Sequence, residues 1–228
     1  MVNYDETNCS DDPGQEKVVV RRGTRHAERL MDSSKASTSV MMAVSANGDV
    51  LPPYVVYKAK YVYDTWSEGG VPFARYNSTP SGWFDMKTFE DWFETIALPY
   101  FKKAGKKEDE KVLIGDNLAS HLSPRVVELC EEYNIKFIFL PPNPTHICQP
   151  LDVAFYRPFK RSWRKVLSEW KLSNRGVLPK SVFPSMLKKA LDQLGPENLK
   201  KNAKSGFEAT GIHPFNKEKV LANPSSFS

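Results

Sequence analysis

KVLIGDNLASHLSPRVVELCEEYNIKFIFLPPNP, residues 111–144, decides the fold. Lys111 to Gly115 carries the short apolar run Val112-Leu113-Ile114, the composition of a strand covered on both faces. Ser123-Pro124 supplies an N-cap followed by proline at the first helical position, and Val126, Val127, Cys130 and Tyr133 then give one apolar helical face. Lys136 to Leu140 predicts a second buried strand, which Pro141-Pro142-Asn143-Pro144 ends abruptly. Strand, helix, strand predicts a parallel pair joined by a right-handed crossover, so the chain is read as α/β.

Upstream, residues Met1 to Asp5 can form only the tail of a strand, which Asp5 ends or interrupts. Asp11-Asp12-Pro13-Gly14 is a turn, and the Val18-Val19-Val20 run within Lys17 to Arg22 predicts a strand. Two further apolar runs, Ser39 to Ala46 and Val50 to Tyr57, flank Asn47-Gly48. That dipeptide predicts a hairpin with a type I′ turn, in which both residues take positive φ. Pro52-Pro53 argues for an edge position or a bulge in the second of these strands. Lys60 to Gly82 has no clear period and reads as loop. Asp85 is an N-cap for a helix carrying Phe89, Phe93, Ile96 and Tyr100, which Pro99 kinks or ends near its last turn.

Downstream, Phe155, Phe159, Trp163, Leu167 and Trp170 recur near every fourth residue and predict a helix with those aromatic groups in the core. Pro158 sits in its first turn or kinks it. Helices follow over Lys180 to Leu194 and, shorter, over Glu197 to Lys204, with a loop at Gly211 to Phe215. The C-terminal part is therefore mostly helical.

Composition bounds the class. The 228 residues, with 40% hydrophobic and 26% charged, suit a globular chain that buries a core without disulfides. Cys9, Cys130 and Cys148 are an odd number at no zinc spacing, which points to a reducing compartment. No signal peptide or long apolar span is present, so no membrane partner is expected. Net charge is +5, but unevenly spread: Arg157 to Lys204 holds thirteen Lys or Arg against three acids. Such a field attracts polyanions; a set of solvated helix faces is the alternative.

Three aspartates carry the chemistry. Asp5 lies in Asn3-Tyr4-Asp5-Glu6-Thr7, Asp116 in Gly115-Asp116-Asn117 with His121 beyond it, and Asp152 in Gln149-Pro150-Leu151-Asp152-Val153. Asp116 closes its strand, where ligands of an α/β sheet collect. If the strand of Asp5 is its parallel neighbour, the two carboxylates lie side by side, and Asp152 joins them from the start of the next helix. Clustered carboxylates repel unless protonated or bound to cations, and hard oxygen donors suit Mg²⁺ or Mn²⁺. Two such ions about 3.5–4 Å apart can activate an attacking oxygen and stabilise a leaving one. Taken singly, Asp116 also reads as a strand-end turn and Asp152 as a helix N-cap.

These signatures, with Leu140-Pro141-Pro142-Asn143, Thr145 to Val153 and Ala209 to Phe215, resemble the DDE superfamily endonuclease domain, in its pogo, Tigger and jerky-like branch. The resemblance implies an α/β ribonuclease H-like mixed sheet flanked by helices. It also implies metal-dependent cutting and joining of DNA, with Asp5, Asp116 and Asp152 as catalytic and metal-binding acids. Mg²⁺ or Mn²⁺, two ions, is the expected cofactor, and no small-molecule cofactor is expected. DNA is the expected partner and the nucleus the expected location. A homo-oligomer stays open.

In this reading residues 1–170 form the catalytic core, with its first strand truncated, and 171–228 a helical extension of the same domain. The missing start of that strand and the lack of a helix-turn-helix module keep a second function in view: a domesticated or inactive protein that binds nucleic acid without cutting it. His121 is read as ordering the loop before Ser123, with action near the metals as the alternative, and Gln149 as positioning the backbone before Asp152 rather than touching DNA. Arg21, Arg22, Arg25, Lys160, Arg161, Arg164 and Lys165 are suited to phosphate without marking a specific site.

Overall fold

A computed structural model describes residues 1–13, 36–116, 123–140 and 145–221. The strand predicted over Lys17 to Arg22, the cations Arg21, Arg22 and Arg25, and His121 lie outside these residues. Strands β1 (Val2–Ser10), β2 (Ser37–Ser45), β3 (Tyr54–Lys58), β4 (Arg75–Thr79), β5 (Lys111–Gly115) and β6 (Ile135–Phe139) form one mixed sheet in the order β4-β3-β2-β1-β5-β6. β1 pairs antiparallel with β2 and β2 with β3, whereas β1–β5, β5–β6 and β3–β4 are parallel.

Period-two alternation gives this sheet two apolar faces. Val2, Tyr4, Met41, Ala43, Tyr54, Val56 and Leu113 point to one side. There they pack with α1 (Met86–Trp92), α2 (Leu98–Ala104) and α3 (Pro124–Glu132). Cys9, Val40, Met42, Val44, Val55, Tyr57 and Ile114 point to the other, against α5 (Tyr156–Ser173), α6 (Phe183–Leu194) and α7 (Pro196–Ala209). Two short helical turns complete the set, α4 (Thr145–Cys148) and α8 (Glu218–Leu221). α5 runs through residue 170 without a break, and α6 and α7 share its apolar cluster.

Several local expectations change. β1 has nine residues, beyond the usual five or six; it extends downstream of Asp5, which sits within the strand rather than at its end. At the β2–β3 hairpin only Gly48 takes a positive φ (94°). Ser45 N–H donates to Asp49 O at 2.8 Å, Gly48 N–H donates to Ser45 O, and Ser45 Oγ accepts from Asp49 N–H. The Ser45–Asp49 bonds close a three-residue loop, and Asn47 is spared a left-handed conformation. Pro52-Pro53 marks neither an edge nor a bulge of β3. It interrupts pairing between the isolated Val44–Val50 bridge and Tyr54, and β3 then pairs on both sides.

β4 emerges from the stretch read as loop, because an Arg75-Tyr76-Asn77-Ser78-Thr79 edge strand has no apolar alternation to reveal it. β6 is also an edge strand, with Ile138 46% exposed, and is not buried on both faces as its apolar run suggests.

Helix starts follow the sequence closely. Asp85 caps α1 by accepting from Thr88 N–H at 2.9 Å, while Thr88 Oγ1 accepts from Asp85 N–H at 2.8 Å. Pro99 does not end the helix; a π-helical turn at Phe93–Ala97 separates α1 from α2. The wider turn accommodates the missing N–H and the ring that would press on the carbonyl four residues back. Pro158 lies in the first turn of α5, directly after a second π-helical turn at Leu151–Phe155. α7 is longer than the Glu197–Lys204 segment expected, running to Ala209.

Candidate active site

The parallel register of β1 and β5 aligns Val2 with Leu113 and Asn3 with Ile114. Continued by two residues, it sets Asp5 opposite Asp116, at the carboxyl end of β5. The intervening pair is Tyr4 and Gly115, and glycine is required there: a Cβ on residue 115 would lie inside the Tyr4 ring. That ring is fully buried against Phe89, Trp92 and Phe137, so it has no room to yield.

Asp5 is half-buried and shares the strand face of Asn3 and Cys9, toward α5. Burial, followed by the charges of Asp152 and then Asp116, pushes its carboxyl well above the usual carboxylate range. Hydrogen bonds from the Gln149 side chain and the Glu6 backbone oppose that shift. Both other acids thus act on Asp5. Asp116 is half-buried and Asp152 is exposed. Asp152 is not an N-cap, since the Leu151–Phe155 turn has Pro150 at that position and no side-chain cap.

Two contacts hold the Asp152 turn onto the sheet, and a third packs it against α7. Asn3, fully buried, donates from Nδ2 to the Ile114 carbonyl at 3.0 Å and accepts at Oδ1 from Leu151 N–H at 3.0 Å. Tyr156 donates its hydroxyl to the Asp5 carbonyl at 2.7 Å. Burial, then the charges of Asp5 and Asp152, raise the phenol well above its usual value and keep that donor protonated. Gly206 in α7 lies so close to Pro150 that a Cβ would meet the Pro150 backbone. The sequence held no signal for Gly206 or Tyr156, and Asn3 stood only within a signature whose contacts with distant segments a linear reading does not show.

Gln149 is 1% exposed, donates to Asp5, and leaves Oε1 without a hydrogen-bond partner among the described residues. An orphaned buried acceptor beside mutually repelling carboxylates fits a hydrated cation, whose waters are donors. Among the described residues no three His, Cys, Asp or Glu side chains stand close enough together to enclose a metal ion by themselves. Mg²⁺ does not need such a cage: one or two carboxylates, waters and substrate phosphate oxygens are its usual set. Beyond Asp152, Arg157, Arg161, Arg164 and Lys165 are exposed along α5, while Lys160 lies 5.4 Å from the centre of the Tyr156 ring. Trp163 is core, as its helical spacing predicts, and donates Nε1–H to the Ser10 carbonyl at 2.8 Å.

Mixed sheet, flanking helices and an acid-bearing pair of parallel strands define a ribonuclease H-like fold. Residues 34–201 match the DDE superfamily endonuclease family, and the chain belongs to it. Asp116 and Asp152 fall within the matched residues, and Asp5 precedes them. Among curated relatives, the human pogo transposable element with KRAB domain is 25% identical over 169 residues, covering 74% of this chain and 26% of that protein. The human jerky protein homolog is 29% identical over 173 residues, covering 72% and 29% respectively. A protein named MFS-type transporter clz9, from Cochliobolus lunatus, is 26% identical over 204 residues, or 89% of this chain and 21% of that protein. The chain thus spans between 21% and 29% of the length of these relatives. No helix among its described residues is long and apolar enough to cross a membrane.

Among solved structures, the Mos1 mariner paired end complex with Mn superposes with a TM-score of 0.50 at 14% identity. It covers 90% of this chain and 55% of that one, a likeness of fold.

Proposed function

We propose that this chain is a divalent-cation-dependent DNA endonuclease and strand-transfer domain in which Asp5, Asp116 and Asp152 hold Mg²⁺ or Mn²⁺. The observation that carries the reading is geometric: the β1–β5 register sets Asp5 opposite Asp116, and Asn3 and Tyr156 hold the Asp152 turn on the same strand. The place of Asp116 at the carboxyl end of β5, where ligands of an α/β sheet collect, supports it. So does the Mn carried by the similar Mos1 paired end complex. When bound, the cations supply charge that activates an attacking oxygen and stabilises the leaving oxygen of a phosphodiester.

The chain's own residues prepare that site. Asp5 is fixed on a central strand and oriented by Gln149. Tyr156 and Asn3 hold the Asp152 turn against the sheet, and the α5 cations offer phosphate contacts beside it. A nuclear location follows from DNA as substrate.

The test is nicking of supercoiled DNA by the purified chain with Mg²⁺ or Mn²⁺, against Asp116→Asn and Asp152→Ala. Cation-dependent nicking lost in both variants is expected. Nicking that persists without these carboxylates overturns the reading; DNA binding with no nicking at all moves the chain to the non-cutting alternative.

A further inference from the structure

Backbone pairing between β1 and β5 covers only two residue pairs and stops at Asn3–Ile114. It therefore ends just before the segments that carry Asp5 and Asp116. The Asp152 turn has the converse problem: its first residue, Leu151, opens a helix whose N-cap, Pro150, supplies no side-chain acceptor. N–H groups at a helix start need an external partner when buried. One side chain answers both needs. Asn3 Nδ2 donates to Ile114 O, two residues before Asp116, and Asn3 Oδ1 accepts from Leu151 N–H, one residue before Asp152. Asp5 follows Asn3 itself by two residues. A further, longer bond of 3.4 Å runs from the same Nδ2 to the Tyr4 carbonyl.

We propose that Asn3 is a positioning residue for the acid site, a single carboxamide that sets the spacing of the three segments bearing Asp5, Asp116 and Asp152. The proposal rests on the nuclease reading above. A carboxamide of this length is the group that donates and accepts at once; an ionised aspartate only accepts, and alanine does neither. A buried amide that merely satisfies stray backbone groups would also lose stability when removed, so stability alone does not separate the roles. Cation affinity does, because partners that orient ligands typically change affinity by about 10- to 100-fold when removed.

The experiment measures Mn²⁺ binding by electron paramagnetic resonance, with kcat and KM for DNA nicking, at temperatures well below each unfolding midpoint. Wild type is compared with Asn3→Ala, Asn3→Ser and Ser162→Ala. Ser162 is the structural control, since its Oγ donates to the Ala190 carbonyl at 2.7 Å in a buried bond between α5 and α6. Expected is about a 10- to 100-fold loss of Mn²⁺ affinity in the Asn3 variants, with kcat reduced and KM little changed. Ser162→Ala should lower the unfolding midpoint and bind Mn²⁺ as wild type does. Folded Asn3 variants with wild-type Mn²⁺ affinity overturn the proposal. Failure of both to fold also overturns it, because Asn3 would then serve the fold and not the site. A wild-type chain that binds no Mn²⁺ sinks the nuclease reading first and this proposal with it.

Discussion

Replacing Gly206 by alanine sets two effects of opposite sign against each other. Inside a helix alanine is favoured over glycine by about 1 kcal/mol, so α7 alone would gain. A Cβ at that position, however, would run into the Pro150 carbonyl oxygen, and would stand 2.9 Å from the carbonyl carbon and 3.1 Å from Cα. Carbon atoms in ordinary contact are about 3.5–4.0 Å apart, so α7 and the Asp152 turn must separate by roughly half to one ångström. Both partners are backbone, which cannot swing aside. Overpacking of this kind costs about 1–3 kcal/mol and outweighs the gain by up to about 2 kcal/mol. For a chain of this size that lowers Tm by up to about 8 °C. Asp152 follows Pro150 by two residues, and a displacement of about 1 Å suffices for a loss of roughly 100-fold in turnover. Thermal unfolding by circular dichroism, with cation-dependent nicking assayed well below Tm, reads both effects. A Gly206→Ala protein with a raised Tm and wild-type nicking would refute the reasoning, since helix propensity would then have acted alone.

Gly115→Ala should be more damaging still, because its Cβ falls inside a fully buried Tyr4 ring. A loss of about 3 kcal/mol is expected in urea denaturation, at the upper end of overpacking, and a neutral result would mean β1 and β5 can part freely. Asp11 and Lys171 form an ion pair at 3.1 Å with side chains 5% and 2% exposed. Asp11→Ala leaves the ammonium buried, so about 3–5 kcal/mol should be lost; a change under about 0.5 kcal/mol, the range of surface substitutions, would show the pair to be incidental. Burial pushes the Cys9 thiol up to about 12, although Lys160 pulls it slightly down. An unfolded thiol ionises near 8.5, so this thiol's burial costs nothing below that pH, and stability falls as pH rises from there toward the folded value. At pH 10 the loss is about 2 kcal/mol. Cys9→Ala should flatten that part of the stability profile, and an unchanged alkaline slope would contradict it.

What the sequence made legible was whatever depends on neighbours along the chain. The Asp85 cap, the Ser123-Pro124 helix start and the β5–α3–β6 unit rest on local capping chemistry and local periodicity, and all formed. β4 stayed hidden because its pairing comes from β3 and its residues are polar. The two π-helical turns answer to prolines whose effect could be placed only once the helix axis was known.

The parallel neighbourhood of Asp5 and Asp116 stood in the sequence only as a condition for bringing the two carboxylates together, and β1–β5 pairing meets it. The struts of the site were beyond a linear reading. Asn3 meets Leu151 across 148 positions and Tyr156 meets Asp5 across 151, distances at which side-chain chemistry names a need but no partner. Ile138 shows the reverse error: an apolar run implies cover, yet topology left β6 at the edge.

The most direct measurement is anomalous diffraction at the manganese edge from crystals of this chain soaked in Mn²⁺. The expected result is anomalous density between the carboxylates of Asp5, Asp116 and Asp152. Density confined to other sites, or none at saturating Mn²⁺, would contradict a cation centre built from these three acids.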